Sequence, residues 1–396
     1  MKADQPPLSP SPAAATDPAP PVTPVTTLRP AVTARLVSLD AFRGITIILM
    51  LLVNNVMLDA IAPGQLRHAA FGQGIHVADL VFPWFLFCMG AALPFAYTSF
   101  ARRYLVGRPW TAGWRWHWKN LVRAFWLVAL GSLIDSSLNL HPTFGFGVLQ
   151  LTGLAFLVAA TFYQAPPWAR LAVAGVLLVG YWATIRGLLF PGLGPGVFQE
   201  ERNAILELNR RYLNDVNLTG LTSVPPTAAL VIIASCVGDL LKARLTPAIK
   251  GLLLLVAGVV LLALGSLANL DLSYSKAFWT PSYILAGAGS ATLALGGLTL
   301  LVDATGWSFW TYPFVVYGSN ALLAYIAPIL VKVYVLQNWQ MRLPDGQVGS
   351  VQDWLMAILA KAFGRDNGAW AYTALYILAW WLVLLQLHRK RLFFKV

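Results

Sequence analysis

The sequence predicts an all-α polytopic membrane protein, a bundle of about ten transmembrane helices. Two observations carry this. Of 396 residues, 58% are hydrophobic and only 11% charged, against about 25% charged in an ordinary soluble domain. Mean hydropathy is +0.64. A soluble core of this size cannot bury so much apolar surface, so lipid must solvate the excess. Spans of about 20 apolar residues are then required, because hydrocarbon leaves no water to satisfy an irregular backbone.

In chain order, residues 1–33 are rich in Pro, Ala and Thr, carry little charge and lack apolar periodicity. They read as a disordered cytoplasmic tail. They do not read as a signal peptide, since Lys2 is not followed by an apolar stretch. The remainder, 34–396, reads as one transmembrane domain. Apolar runs place spans near 44–61, 79–98, 121–138, 144–163, 169–187, 226–241, 249–268, 280–302, 312–336 and 370–387.

The formal net charge is +12. Lys and Arg concentrate in Ala34–Arg43, Ala101–Lys119, Tyr163–Arg170, Lys242–Lys250, Asp303–Tyr312 and the tail from His388. This bias predicts that both termini are cytoplasmic. Segments 187–225 and 337–369 then become extracytoplasmic loops. No basic patch sits on a soluble module, so nucleic acid is not an expected partner. Cys88 and Cys236 lie in apolar runs without CxxC or histidine neighbours, and read as structural thiols with no metal site.

Ionisable and amide groups at membrane depth are costly, so they pair or work. Asp40 and Arg43 stand three apart on one helical face, either as an interfacial salt bridge or with Arg43 as a phosphate ligand. Asn54 and Asn55 close the first apolar run and need hydrogen-bond partners, from a neighbouring helix or from a ligand. The segment from His68 through His76 and Asp79 to Trp84 is the richest in chemistry. Histidine titrates near neutrality and serves as general base or nucleophile, and Asp79 can orient an imidazole. Arg123, Asp135 and Asp239 lie in or at the edge of spans, with pairing or snorkelling as the default. No Walker loop, GxSxG elbow, HExxH or Rossmann glycine fingerprint occurs in its required context.

Several segments carry a resemblance: Arg35-Leu-Val-Ser-Leu-Asp40-Ala-Phe-Arg43-Gly44, His68-Ala-Ala-Phe, and Val77-Ala-Asp79-Leu-Val-Phe-Pro83-Trp84. Downstream come Gly147-Val-Leu-Gln150, Phe278-Trp279-Thr280-Pro281-Ser282-Tyr283 and Pro313-Phe-Val-Val-Tyr-Gly318-Ser-Asn320. Together and in order, they resemble the heparan-α-glucosaminide N-acetyltransferase family and its bacterial relatives. The resemblance implies a multi-span acyltransferase in the bacterial inner membrane. It would move an acetyl group from cytoplasmic acetyl-CoA to an amino sugar or cell-envelope glycan on the periplasmic side. It implies that His68 is catalytic and that Asn54 accompanies it, with a spacing longer than in the animal enzyme. Gln150 is followed by Leu151, where the family commonly has Gln-Arg.

On this reading Asp79 fixes the His68 tautomer or braces its loop. Arg43, Arg102, Arg103, Lys119 and Arg123 neighbour the CoA phosphates. Asn320 adds a polar contact in the core. Asn54 donates to the thioester oxygen as charge develops there. The bilayer is the third partner after acetyl-CoA and the glycan. A homodimer is compatible, although the sequence names no oligomeric state. The rival class is a transporter or flippase for a sugar or lipid-linked glycan, which would have no reason to bind acetyl-CoA.

Overall fold

The computed structural model describes residues 36–55, 62–104, 109–139, 141–142, 145–215, 217–344 and 346–394. The expected tail, 1–33, lies outside the described residues. The rest forms an all-α bundle: α1 (Val37–Asn55), α2 (Val77–Tyr104), α3 (Pro109–Asn139), α4 (Val148–Phe162), α5 (Pro167–Gly187), a short α6 (Ala204–Leu208), α7 (Val224–Lys242), α8 (Pro247–Asp271) and α9 (Pro281–Leu298). Then follow α10 (Tyr312–Ser319) and α11 (Ala321–Val331), a small hairpin of β1 (Gln340–Arg342) and β2 (Val348–Ser350), α12 (Val351–Phe363) and α13 (Arg365–Arg389).

Among the described residues, eight helices are long and apolar enough to cross a membrane. A ninth crossing is a broken pair, Phe309–Ser319 with Ala321–Gln337, bent by 69°. The 15-residue α4 is a shorter apolar helix. Each predicted span therefore overlaps a helix or a helix pair, while residues 56–61 of the first predicted span and residue 144 of the fourth lie outside the described residues. Asn320 sits at the break, with its amide side chain turned to the tail: Nδ2 donates to the Leu392 carbonyl (3.0 Å) and Oδ1 accepts from the Phe394 N–H (2.9 Å).

The layering follows from which residues tolerate close approach. α7 is the most enclosed span and packs on α2 where Gly90 meets Val231 and Ala234 of α7 and Gly238 meets Ala91 and Pro94 of α2, leaving no room for a Cβ. Small residues at such crossings let helices meet when lipid offers no hydrophobic push. α8, by contrast, presents Leu252, Leu253, Val256, Val260 and Leu267 outward, as a lipid-facing helix does. Several buried threonine hydroxyls are satisfied one helical turn back along their own chain. Thr227 donates to Ser223 O (2.7 Å), Thr292 to Ala288 O (2.7 Å) and Thr299 to Leu295 O (2.8 Å). Left unmet in hydrocarbon, each would cost several kcal/mol.

Two expected loops are largely helical. Most of Ala101–Lys119 belongs to the ends of α2 and α3; Arg and Lys are good helix formers and extend a span past the apolar boundary. Segment 337–369 contains the hairpin and α12. A capping box starts α12: Ser350 Oγ accepts from the Asp353 N–H (3.1 Å) and Asp353 Oδ2 accepts from the Ser350 N–H (3.0 Å).

The end of α13 meets the start of α10 through His388 and Tyr312, whose ring centroids are 6.1 Å apart. Ser38, at the start of α1, donates to Asp303 beyond α9. The first and last helices therefore begin and end on one face of the bundle. The Asn54 end of α1, the His68 loop, the 188–223 segment and α12 lie at the other.

Candidate active site

The site is built where the chain between α1 and α2 folds back onto the bundle. Gly72 and Gly74 both take left-handed backbone (φ +75° and +98°), which glycine adopts without strain. This turn brings His68 over the first turn of α2. Asp79 is only 3% exposed. Its carboxylate accepts three hydrogen bonds: His68 Nδ1 at 2.8 Å, the Ala69 N–H at 3.1 Å and the His76 N–H at 3.1 Å. The position also suits an anion, since the N-terminal turn of a helix is electropositive. His76 Nδ1 lies 2.9 Å from the Arg67 carbonyl, so the second histidine braces the loop.

A carboxylate can only accept, so the pair places a proton on His68 Nδ1, and in the uncharged ring the lone pair is then on Nε2. The His68 side chain is 54% exposed, and it lines a cavity of about 500 Å³, within the usual range for small-molecule sites. Other walls come from Phe71, Phe146, Leu151, Glu200, Trp279 and Tyr283. Phe71, Phe198 and Phe278 form an aromatic cluster, with centroids 5.2–6.3 Å apart, that fixes the loop to the 188–203 segment and to the turn before α9. The buried Tyr283 donates to the Asp79 carbonyl (2.5 Å), pinning α9 to α2 beneath the site.

Lys276 completes the constellation. Its Nζ lies 3.2 Å from His68 Nδ1 and 3.1 Å from Nε2. Burial lowers its proton affinity, partly offset by the Asp79 charge. Sequence reasoning passed over Lys276, Glu200 and the role of Tyr283. The available signal was a lone lysine two residues before the Phe278–Tyr283 segment.

His68 and Asp79 are thus brought together. Asn54 is not brought to them. It lines a second cavity of about 320 Å³ with Asn55, Tyr325, Lys332, Gln337 and Tyr376. There its backbone carbonyl accepts from Lys332 Nζ (2.8 Å). Asn55 is the buried member of the pair, its Nδ2 donating to Leu51 O (2.8 Å) while Oδ1 has no partner among the described residues.

The basic candidates divide in two. Arg102, Arg103 and Lys119 are exposed, with Lys119 Nζ 5.8 Å from the Phe100 ring centroid. Arg102 and Arg103 lie in the last turn of α2, about 35 Å from Asp79 at 1.5 Å per residue. Arg43 and Arg123 point into the bundle. Arg43 Nη1 lies 3.7 Å from Asp40 Oδ1. Arg123 stacks its guanidinium 4.4 Å from the Phe156 ring centroid, its buried Nε has no hydrogen-bond partner among the described residues, and the Arg43 charge acts on it. Two guanidinium groups whose charges act on each other, with the Asp40 carboxylate 3.7 Å from one of them, leave a net positive charge that favours an anion. Asn320 lines neither cavity and its carboxamide is used by the tail, so the structure does not support it as a cofactor contact. Of the other ions within spans, the half-buried Asp239 accepts from Arg170 and from Tyr163 Oη (3.0 Å), and the half-buried Asp135 accepts from Gln150 Nε2 (2.7 Å).

The fold and site define a class: a polytopic helical membrane protein with a carboxylate-oriented histidine at a cavity on one face of its bundle. Residues 35–201 match the family model for heparan-alpha-glucosaminide N-acetyltransferase, catalytic. That stretch carries Asn54, His68, Asp79 and Arg123. The chain is 33% identical over 153 residues to the human heparan-alpha-glucosaminide N-acetyltransferase, covering 35% of this chain and 20% of that protein. It is 30% identical over 145 residues to the mouse protein of that name, covering 32% and 19%. The matched stretch thus spans about a fifth of the length of these curated relatives.

Proposed function

We propose that the chain is a transmembrane acetyltransferase that accepts acetyl from cytoplasmic acetyl-CoA and passes it to an amino sugar or envelope glycan at the periplasmic face of the inner membrane. The observation that carries the reading is the His68–Asp79 pair at the wall of a cavity large enough for a sugar. CoA phosphates do not cross hydrocarbon cheaply. The donor's nucleotide end therefore stays near the basic face, with both termini cytoplasmic. Arg43 and Arg123 meet its phosphates, and the exposed Arg102, Arg103 and Lys119 attract it. Its thin pantetheine arm then extends between helices towards His68.

Asp79 holds the imidazole so that Nε2 faces the cavity. Nε2 takes the proton of the acceptor amine as that amine attacks the thioester carbonyl, and returns it to the leaving thiolate. The same geometry serves a route through acetyl-imidazole; rapid-quench trapping of acetyl-histidine separates the two. For Asn54 we assign a ground-state contact to the donor in the second cavity, so that Asn54→Ala raises KM for acetyl-CoA and spares kcat.

The test is acetyl transfer from acetyl-CoA to glucosamine by the purified protein and by His68→Ala, with release of free thiol as the readout. The reading requires turnover that the substitution abolishes while the protein stays folded. Wild-type turnover in His68→Ala removes His68 from the mechanism. Failure of the intact protein to bind acetyl-CoA hands the molecule to the permease class.

A further inference from the structure

We propose that Lys276 is an internal acetyl acceptor, whose Nζ takes the acetyl group presented at His68 when no external amine fills the cavity. The inference rests on the acetyltransferase reading above.

The geometry carries it. A base collects a proton from a nucleophile held within about 2.6–3.2 Å. Lys276 Nζ stands 3.1 Å from His68 Nε2 and 3.2 Å from Nδ1, over the face of the ring. A primary amine therefore already stands beside the place that an acceptor amine must take, and rotation about the lysine's own side-chain bonds carries it onto the in-plane lone pair of Nε2. The relatives' printed name, α-glucosaminide N-acetyltransferase, specifies an acceptor of that chemical class.

Lys276 is held there by a strained turn. Trp279 adopts φ +50°, a left-handed conformation that a bulky residue adopts only when its surroundings impose it. The Trp279 N–H donates to the Lys276 carbonyl (3.4 Å), and the Ser275 N–H donates to Thr280 Oγ1 (3.0 Å). The charged and titratable groups around the amine are His68 and Asp79 from the loop and α2, Glu200 from the 188–203 segment, and Tyr274 and Tyr283 beside α9. Burial of the amine disfavours its ammonium form, and only the neutral amine is a nucleophile.

The step balances. Lys276 first loses its ammonium proton to solvent at the cavity. Its Nζ lone pair then attacks the thioester carbonyl carbon; the C–N bond forms and the C–S bond breaks. The second nitrogen proton passes to His68 Nε2 and on to the departing thiolate. The products are acetyl-lysine, CoA thiol and one released proton. Acetyl-Lys276 has lost its charge and covers His68, so the modified protein is closed to further donor.

The test incubates the purified full chain with acetyl-CoA bearing an isotope-labelled acetyl group and maps the label by peptide mass spectrometry. Label should accumulate at Lys276 ahead of Lys361, an exposed lysine on the same face. Glucosamine should suppress it. It should be absent in Lys276→Arg and at least about a hundredfold slower in His68→Ala, the lower end of what a positioned base supplies. Label on Lys361 but not Lys276, or label at Lys276 indifferent to glucosamine, overturns the inference. The glucosamine arm needs no variant to fold. A protein that turns over glucosamine but takes no label at Lys276 when glucosamine is left out removes this inference alone, and absence of both turnover and label removes the acetyltransferase reading with it.

Discussion

Replacing Asp79 by Asn tests the catalytic pair with almost no change in shape. The carboxylate receives His68 Nδ1 on one oxygen and two backbone N–H groups on the other. An asparagine can keep both backbone bonds on its single carbonyl oxygen. Its NH₂ must then face His68 Nδ1 and donate to it. That inverts the tautomer: the ring proton moves to Nε2, and no lone pair faces the cavity. Loss of a hydrogen bond to a charged partner alone is worth about 1.5–3 kcal/mol, or roughly ten- to a hundredfold in rate. Tautomer inversion extends the loss towards the range of about 10²–10⁴ that a positioned base supplies. Asp79→Asn should therefore lower kcat by about 10²–10⁴ with little change in KM for acetyl-CoA. Because the two residues act as one unit, Asp79→Asn/His68→Ala should be no slower than His68→Ala alone. The assay is thiol release on detergent-purified protein, with the melting temperature as control. A rate within about threefold of wild type, or losses that multiply in the double variant, would refute the assignment.

Further expectations follow from other parts of the molecule. Arg123→Met should raise KM for acetyl-CoA about tenfold or more, the size of one lost charge-assisted contact, and leave kcat near wild type; an unchanged KM contradicts a phosphate role. Arg170→Met strands Asp239, which keeps only the Tyr163 hydroxyl, and should cost about 3–5 kcal/mol at most. Arg170→Met/Asp239→Leu should recover most of that loss in thermal unfolding, and a double variant as unstable as the single denies that the stranded charge is the cause. Burial lowers the proton affinity of Lys276, so the neutral amine persists to lower pH than at an exposed lysine. In a pH series with an amine-reactive label, Lys276 should react at lower pH than Lys361; the reverse order contradicts this environment.

Much of the fold was legible because lipid imposes one requirement, about 20 apolar residues per crossing, that composition alone reveals. The broken ninth crossing was legible as an apolar run but not as a bend. Its cause is Asn320, which ends α10 and binds tail residues 72 and 74 positions away. α12 escaped because 13 residues behind a hairpin are too short for a span; only its Ser350/Asp353 capping box announces it. At the site, His68 and Asp79 were legible because they are 11 residues apart around one turn. Lys276 was not, lying 208 residues from its partner. Arg170 and Asp239 were each visible, but nothing in the sequence pairs residues 69 positions apart. The displacement of Asn54 into a second cavity was equally invisible, because one residue of helical rotation decides whether Asn54 or Asn55 faces the core.

The central claim is that a donor entering from the basic face delivers its thioester to His68. The most direct measurement is a density map of the protein with a non-transferable acetyl-CoA analogue. The account predicts the analogue's carbonyl within about 3 Å of His68 Nε2 and its phosphates beside Arg43 and Arg123. An analogue bound with its carbonyl remote from the His68 cavity, or with its phosphates on the His68 face, contradicts it.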